Sequence, residues 1–434
     1  MSGGPTWTTL PLGEGLRLSA QRRPGPAILA ARLVINGGSG ADPAGHRGAH
    51  QLLAGLMTRG CGDLDAETLA DLVEGAGATL RADAHEDALA VALKCAVEDA
   101  GDLLPLLPAM VCRPRLEPDQ LALERQLNLQ GLQRQREDPF HLAHDQLRRQ
   151  LYDDGPYGHD PLGIETELAR TDRDDLVPLV AGLGRKEAVL TLCGDLAPAA
   201  AAAILEPAVR ECCPRTTRSA APPPGTVAAP EGEPAGLALD TEQVVILLGS
   251  ATVPLAHPDA LPLRLLQSHL GYGMSSRLFV EMREVRGLAY DVGVHFPARR
   301  AAAPFVMHLS TSAERAEEAT LCLLDEWQRL AHQPLTPAER RLAVAKLIGQ
   351  DAMGRQTVSQ IADRQSLLLS HGLTADHVDR ELERARTLTS ADLTSAAHRH
   401  LLQPRLSLVG PAAAIQAAER AWARHHLSRV PPAA

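Results

Sequence analysis

ILAARLVI at residues 28–35 runs directly into NGGSG at 36–40, and a helix-patterned stretch follows over 49–58. An eight-residue apolar run closed by a glycine cluster reads as a buried strand and its turn. The same sentence is written again later in the chain. VVILL at 244–248 leads through a Pro- and His-containing loop into a helix-patterned stretch over 260–270. Each copy continues with a strand candidate (88–95 and 304–309) and a helix candidate (99–111 and 314–330). Each then reaches a proline-bracketed turn, PRLEP ending at Pro118 and PLTP ending at Pro337, that opens an amphipathic helix. The two closing prolines stand 219 residues apart. Strands and helices joined by hairpin-like turns, without strict β-α-β alternation, predict α+β halves. The fold class expected is two homologous α+β domains, each a mainly antiparallel sheet covered by helices.

Residues 214–236, with six Pro and three Gly and scarcely a large apolar side chain, divide the copies. Such a stretch buries too little to offset its own ordering and reads as a semi-extended linker. The predicted domains are 1–213 and 237–434. The whole chain has 434 residues, 45% hydrophobic and 22% charged, the balance of a soluble globular protein. No apolar run approaches the roughly 18–20 residues that span a bilayer, and the first residues lack a secretory signal pattern. Seven Cys without a C-x-x-C pair argue against a disulfide framework and a Cys-based zinc site. A cytoplasmic location is expected. A net charge of −10 speaks against a nucleic-acid partner, and aromatics at 3% are too few for base-stacking platforms.

The helix-patterned stretch belongs to GAHQLLAGLMTRG, Gly48 to Gly60. With the paired halves, it resembles the pitrilysin / mitochondrial processing peptidase family of zinc peptidases, the inverted zincins, over about residues 28–410. In active members of that family this helix carries G-x-x-H-x-x-E-H: the histidines bind zinc and the Glu activates the metal-bound water. On that register Gln51 stands at the first His, Ala54 at the Glu and Gly55 at the second His. The family's third ligand, a Glu on a later helix, falls on Gly131, 76 residues beyond Gly55. Ala and Gly have no donor atoms, and a Gln amide is a poor zinc ligand. The resemblance therefore implies no metal and no cofactor in this chain.

Other chemistry finds little support. His46 and His50 have the i, i+4 spacing of a helical ligand pair, but no carboxylate stands between them, and they are expected to be solvent-facing. The pairs His141/His144, His398/His400 and His425/His426 read the same way. No G-x-S-x-G elbow occurs, and Gly271-Tyr-Gly273 lacks the lysine of a phosphate-binding loop.

The second half carries LGYGMSSRLFVEMREVRGLAYDV from Leu270 to Val292. Locally, Ser275/Ser276 are expected to cap a helix running to about Arg286, Gly287 to supply a left-handed turn, and 288–294 to leave as a strand. In the family this segment resembles the one that donates an Arg and a Tyr to the active site from the half without zinc; here they are Arg283 and Tyr290. A guanidinium and a phenol are donors suited to the charge that peptide hydrolysis places on the scissile carbonyl oxygen. The structural alternative is that Arg283 complements the helix C-terminus and pairs with Glu281 or Glu284 while Tyr290 packs in the core. Gly271 and Gly273 align with a region that contacts substrate in some members; a turn is the alternative.

The resemblance implies a non-catalytic subunit of a heterodimeric zinc endopeptidase that cleaves unfolded peptides or leader segments. Arg283 and Tyr290 would serve a zinc held by a homologous partner subunit carrying H-x-x-E-H. Two such subunits would close around a chamber that holds an extended peptide by its backbone. The alternative is a structural protein of the same fold without proteolysis, like the core subunits of respiratory complexes. That alternative expects a large membrane assembly as partner, and no basic amphipathic or membrane-anchoring segment supports it here; a free-standing peptide-binding homodimer is a third possibility.

Overall fold

Residues 28–36 form a strand whose side chains are almost all buried on both faces, so its apolar run needs cover from two directions. The computed structural model describes residues 6–13, 16–184, 186–212 and 233–429. Most of the expected linker lies outside these residues, and its end is corrected: Ala235 already belongs to a strand.

The first sheet contains β1 (Thr8–Leu12), β2 (Leu16–Arg22), β3 (Ile28–Asn36), β4 (Thr79–Ala84), β5 (Ala88–Ala96) and β6 (Ala188–Gly194), in the order β1-β2-β6-β3-β5-β4. The second contains β7 (Ala235–Ala238), β8 (Gln243–Ala251), β9 (Asp291–His295), β10 (Pro304–Ser312) and β11 (Arg405–Gly410), in the order β7-β11-β8-β10-β9. Without β1 the orders are the same, and so are the directions. β3 and β5 pair antiparallel from Ile28↔Ala96 to Asn36↔Ala88, as β8 and β10 do from Gln243↔Ser312 to Ala251↔Pro304. The parallel pairs are β2/β6 and β7/β11. This is the α+β fold with two matching halves.

Each sheet has helices on both faces, but they do not all come from its own half. The compact units are 1–133 with 160–223 and 353–375, and 134–159 with 224–352 and 376–434. In the first unit, helix Val358–Ser370 lies on β3 and β6. Ile361 and Ala362 pack with Ala30 and Cys193; Thr191 Oγ1 donates to Ala362 O at 3.3 Å, and the Arg32 guanidinium pairs with Asp363. In the second, helix Pro139–Tyr152 lies on β8 and β11. Ala143, Leu147 and Leu151 pack on Val245, Leu247 and Val409, and Ser407 Oγ donates to Ala143 O at 2.8 Å. The linear division at the linker thus differs from the compact units by two exchanged segments, because a strand buried on both faces takes its second cover from wherever the chain supplies an apolar helix.

The other face of each sheet carries that unit's main core. Leu29, Leu33, Leu52, Leu53, Leu56 and Met57 belong to one; Phe305 and Trp327, in edge contact at 5.9 Å, belong to the other. Helix Ala49–Met57 starts at Gly48, whose φ of +102° and contact with Leu162 O, 2.6 Å from where a Cβ would lie, admit only glycine. Asp42 anchors the start by accepting the N–H groups of Gly48 at 2.7 Å and His50 at 2.9 Å. The helix expected over 99–111 is two helices, Ala100–Leu103 and Leu106–Cys112, since Pro105 between them has no N–H to continue the ladder. Pro118 and Pro337 open helices Pro118–Arg136 and Pro337–Met353 as predicted.

Candidate functional site

Gln51, Ala54 and Gly55 lie on helix Ala49–Met57, against which helix Pro118–Arg136 packs through Glu124. Each position has a structural role. Gln51 Oε1 accepts the Ala84 N–H at 2.9 Å, holding the end of β4. Ala54 is fully buried in the core. Gly55 has no side chain because its space is taken: a Cβ there would collide with the Glu124 carboxylate. That carboxylate, 7% exposed as a residue, accepts from Arg59 Nε at 2.6 Å. Gly131, two turns beyond Glu124, faces Leu162 Cδ1, 3.3 Å from where its own Cβ would be. An ion pair and an aliphatic side chain therefore occupy this surface, with no convergent set of metal donors there among the described residues.

His141, His398 and His426 are exposed as expected, while other histidine readings need correction. His50 is fully buried, its Nδ1 2.7 Å from Asp42 Oδ1 and its Nε2 3.4 Å from Lys186 Nζ. Lys186 also donates to Gly37 O at 3.2 Å, and burial lowers its pKa while Asp42 opposes the shift. The reason for this burial is the helix start: once Asp42 caps the first turn, the His50 ring can reach the same carboxylate only by folding inward. His46 precedes the helix and is half-buried, its Nδ1 3.3 Å from Thr171 Oγ1. His425 is also buried. His400 Nε2 lies 2.8 Å from Asp259 Oδ2.

His257, Asp259 and His400 form the one trio of metal-type donors among the described residues, their ligand atoms within 4.8 Å of one another. Arg399 donates to both oxygens of Asp259, at 2.9 and 2.8 Å, and holds its carboxyl at about 2, with His400 helping against the effect of burial. The Asp259 N–H donates to His257 Nδ1 at 3.0 Å. With a guanidinium on its carboxylate, this trio is an ion-pair clamp.

In the second unit the local reading holds in outline and changes in detail. Gly287 has φ +58°, the left-handed turn expected. The helix before it is a π-helix over Phe279–Val285, with the Arg286 N–H reaching Glu281 O at 3.3 Å, and no side chain caps its start. The strand is shorter than predicted, Asp291–His295, because the N–H groups of Leu288 and Ala289 both turn back to Met282 O. Tyr290 precedes the strand and joins the sheet through its N–H to Ser310 O at 3.0 Å.

Arg283 and Tyr290 come together. Arg283 Nη1 donates to Tyr290 O at 3.2 Å, and its guanidinium lies over the Phe279 ring, 5.1 Å from the centroid. Both side chains are exposed, Tyr290 to 60%. Of the structural alternative, Arg283 does stand in the last turn of its helix, where it complements the C-terminus, while the pairing with Glu281 and the core position for Tyr290 are not found. Arg277 takes Glu281 at 3.7 Å and also pairs with Glu326, leaving Arg283 on Phe279; Tyr290 lies outside the core. Phe279 was missed, although an aromatic four residues before an Arg on a helix is the signal for such a stack. No sequence feature marks the π-turn.

Gly271 is needed for packing. A Cβ there would sit 2.8 Å from the backbone N of Val294, so the end of helix Ala260–Gly271 lies directly on β9. Gly273 has φ +76° and open space around it, and it makes the turn between exposed Tyr272 and Met274.

Residues 18–163 match the family model described as Insulinase (Peptidase family M16), and residues 184–347 match the one described as Peptidase M16 inactive domain. The chain belongs to the peptidase M16 family. An uncharacterized zinc protease of Streptomyces coelicolor is 24% identical to this M16 chain over 421 residues, 93% of this chain and 89% of that protein. A peptidase M16 inactive domain from Pseudomonas fluorescens superposes with a TM-score of 0.86 at 23% identity, covering 94% of this chain and 98% of the other. A chain of complex III2 from Candida albicans does so with a TM-score of 0.77 at 12% identity, covering 96% and 99%. The zinc in the M16 relatives' names does not fit this chain's own residues: Gln51 is committed to β4, Ala54, Gly55 and Gly131 offer no donor, and Glu124 is paired with Arg59. No helix among the described residues is long and apolar enough to cross a membrane.

Proposed function

We propose that this chain is the non-catalytic subunit of a heterodimeric zinc endopeptidase acting on unfolded peptides or leader segments. The zinc belongs to a homologous partner subunit carrying H-x-x-E-H, and this chain contributes Arg283 and Tyr290. The observation that carries this reading is a contrast within one M16 chain. The positions of the family's donors are taken up by structural contacts, while Arg283 and Tyr290 are adjacent and exposed, with no acidic partner on the guanidinium among the described residues. Arg283 is held by a carbonyl and an aromatic face, which leaves the rest of its donor fork for a peptide carbonyl or backbone. The Tyr290 phenol is a second donor for the oxygen on which charge develops. Gly271 and Gly273 set the turn beside this segment, and backbone contact with substrate there belongs to the same proposal.

The test is co-expression with a similar-length M16 chain that retains H-x-x-E-H. A 1:1 complex with peptidase activity absent from either chain alone is expected. In that complex Tyr290→Phe should lower kcat by about 10²–10³, by analogy with loss of one oxyanion donor. Arg283→Ala should lower kcat and raise KM if the guanidinium also holds the ground-state backbone. Arg286→Ala is the control. A zinc subunit fully active alone, or near-wild-type rates for both variants, overturns the proposal. The second result would favour the scaffold reading, to which the fold match with a complex III chain gives support.

A further inference from the structure

The helix Pro337–Met353 and the helix His377–Thr387 border a cleft of about 510 Å³ in the second unit, lined by Arg340, Arg341, Val344, Ala345, Ile348 and Arg386. Residues 341, 344, 345 and 348 follow the i, i+3, i+4, i+7 rule and so share one helix face. Three arginines converge there on a chain whose net charge is −10. They are differently engaged. Arg340 Nη1 donates to Leu388 O at 2.9 Å, and Arg386 Nε stands 3.7 Å from Glu383 on the exposed surface. Arg341 is exposed, with no hydrogen bond or ion pair among the described residues. A guanidinium without a carboxylate, beside an apolar strip, is a half-built recognition site: a planar fork matched to a carboxylate, with a surface for one hydrophobic group.

We infer that this cleft binds the C-terminal carboxylate of a peptide whose last side chain is aliphatic, with Arg341 and Arg386 on the carboxylate and Ala345, Ile348 and the edge of Val344 against the side chain. Val344 belongs to the unit's core and shows the cleft only an edge, so the open apolar surface is that of Ala345 and Ile348, one helical turn that matches a single aliphatic side chain beside the carboxylate. The inference rests on the proposed function only in that a peptide-handling chain meets peptide termini.

The test is titration of the isolated full chain with acetyl-Ala-Ala-Leu, followed by calorimetry or by NMR shifts of the two helices. Saturable binding is expected, weakened at least tenfold when the C-terminus is a carboxamide and at least tenfold in Arg341→Ala/Arg386→Ala. Both arginines are exposed, so the fold should survive; the carboxamide comparison needs no variant. Equal binding of acid and amide overturns the inference, as does wild-type affinity in the double variant. Decanoate binding more tightly than the peptide overturns it in favour of a lipid. Because no partner subunit is present, failure here leaves the zinc-partner reading standing, and failure of that reading leaves this one standing.

Discussion

Gly55 shows how a position without a side chain is fixed by its neighbour, because a Cβ there would meet the Glu124 carboxylate. The absence of donors at 51, 54, 55 and 131 is legible in the sequence, because donor capacity is a property of side-chain type. What replaced them is not, because the Glu124–Arg59 pair and the bond from the Ala84 N–H to Gln51 join residues 65 and 33 positions apart. Two outcomes follow at this scale. After dialysis, the purified chain should hold no stoichiometric zinc on helix Ala49–Met57; about one tightly held ion there, by elemental analysis, would refute this. Gly55→Ala should destabilise by about 1–2 kcal/mol in urea unfolding, since it forces the buried Glu124 carboxylate off Arg59. Adding Glu124→Ala should remove most of the further cost of Gly55→Ala, and strict additivity would contradict the steric account. His50 was misread for a related reason: its spacing is visible in the sequence, while the Asp42 carboxylate that draws it inward is a tertiary neighbour.

At the scale of elements, the chain places charged side chains where helices must be tied together. Asp259 holds the start of helix Ala260–Gly271 to Arg399 and His400 at the end of helix Ser390–His400. Its carboxyl is held at about 2, first by the Arg399 hydrogen bonds. A folded pKa below the unfolded value gives stability that is present above about pH 4 and lost as pH falls through about 2. The urea midpoint of wild type should therefore fall more steeply between pH 4 and 2 than that of Asp259→Asn. His269, in the same helix, is pushed down to about 4, mainly by burial. Here the unfolded chain takes up the proton first, so stability is full above about pH 6.5 and lost as pH falls toward 4. His269→Gln should flatten that part of the profile, and an unchanged slope between pH 6.5 and 4 would contradict the assignment. Helix and strand positions were largely legible because apolar periodicity is local. The π-turn at Phe279–Val285 was not, since a single wider turn leaves the pattern of residue types unchanged.

On the scale of the whole molecule, the exchanged helices make each unit depend on both halves of the sequence. Without Val358–Ser370, β3 and β6 lose the cover that Ile361 and Ala362 provide; without Pro139–Tyr152, β8 and β11 lose that of Ala143, Leu147 and Leu151. Fragments 1–213 and 237–434, made separately, should show no cooperative unfolding by circular dichroism, and mixing them at 1:1 should restore it. Cooperative unfolding of either fragment alone would show that the exchanged helix is dispensable. Cutting the chain between 214 and 232 after folding should leave both units intact, because neither exchanged helix is severed and β7 begins only at Ala235.

The sequence by itself determined the repeated order of elements, the α+β class, the M16 resemblance and the lack of donor atoms at Ala54, Gly55 and Gly131. These depend on local periodicity and on the chemistry of single side chains, both of which survive in one dimension. Tertiary structure alone decided which helix covers which sheet, that the Glu124 carboxylate fills the space beside Gly55, and that Arg283 rests on Phe279 and on the carbonyl of Tyr290 rather than on a neighbouring glutamate. In each case several partners of suitable chemistry lie within reach along the chain, and the choice falls to whichever one the packing brings into contact.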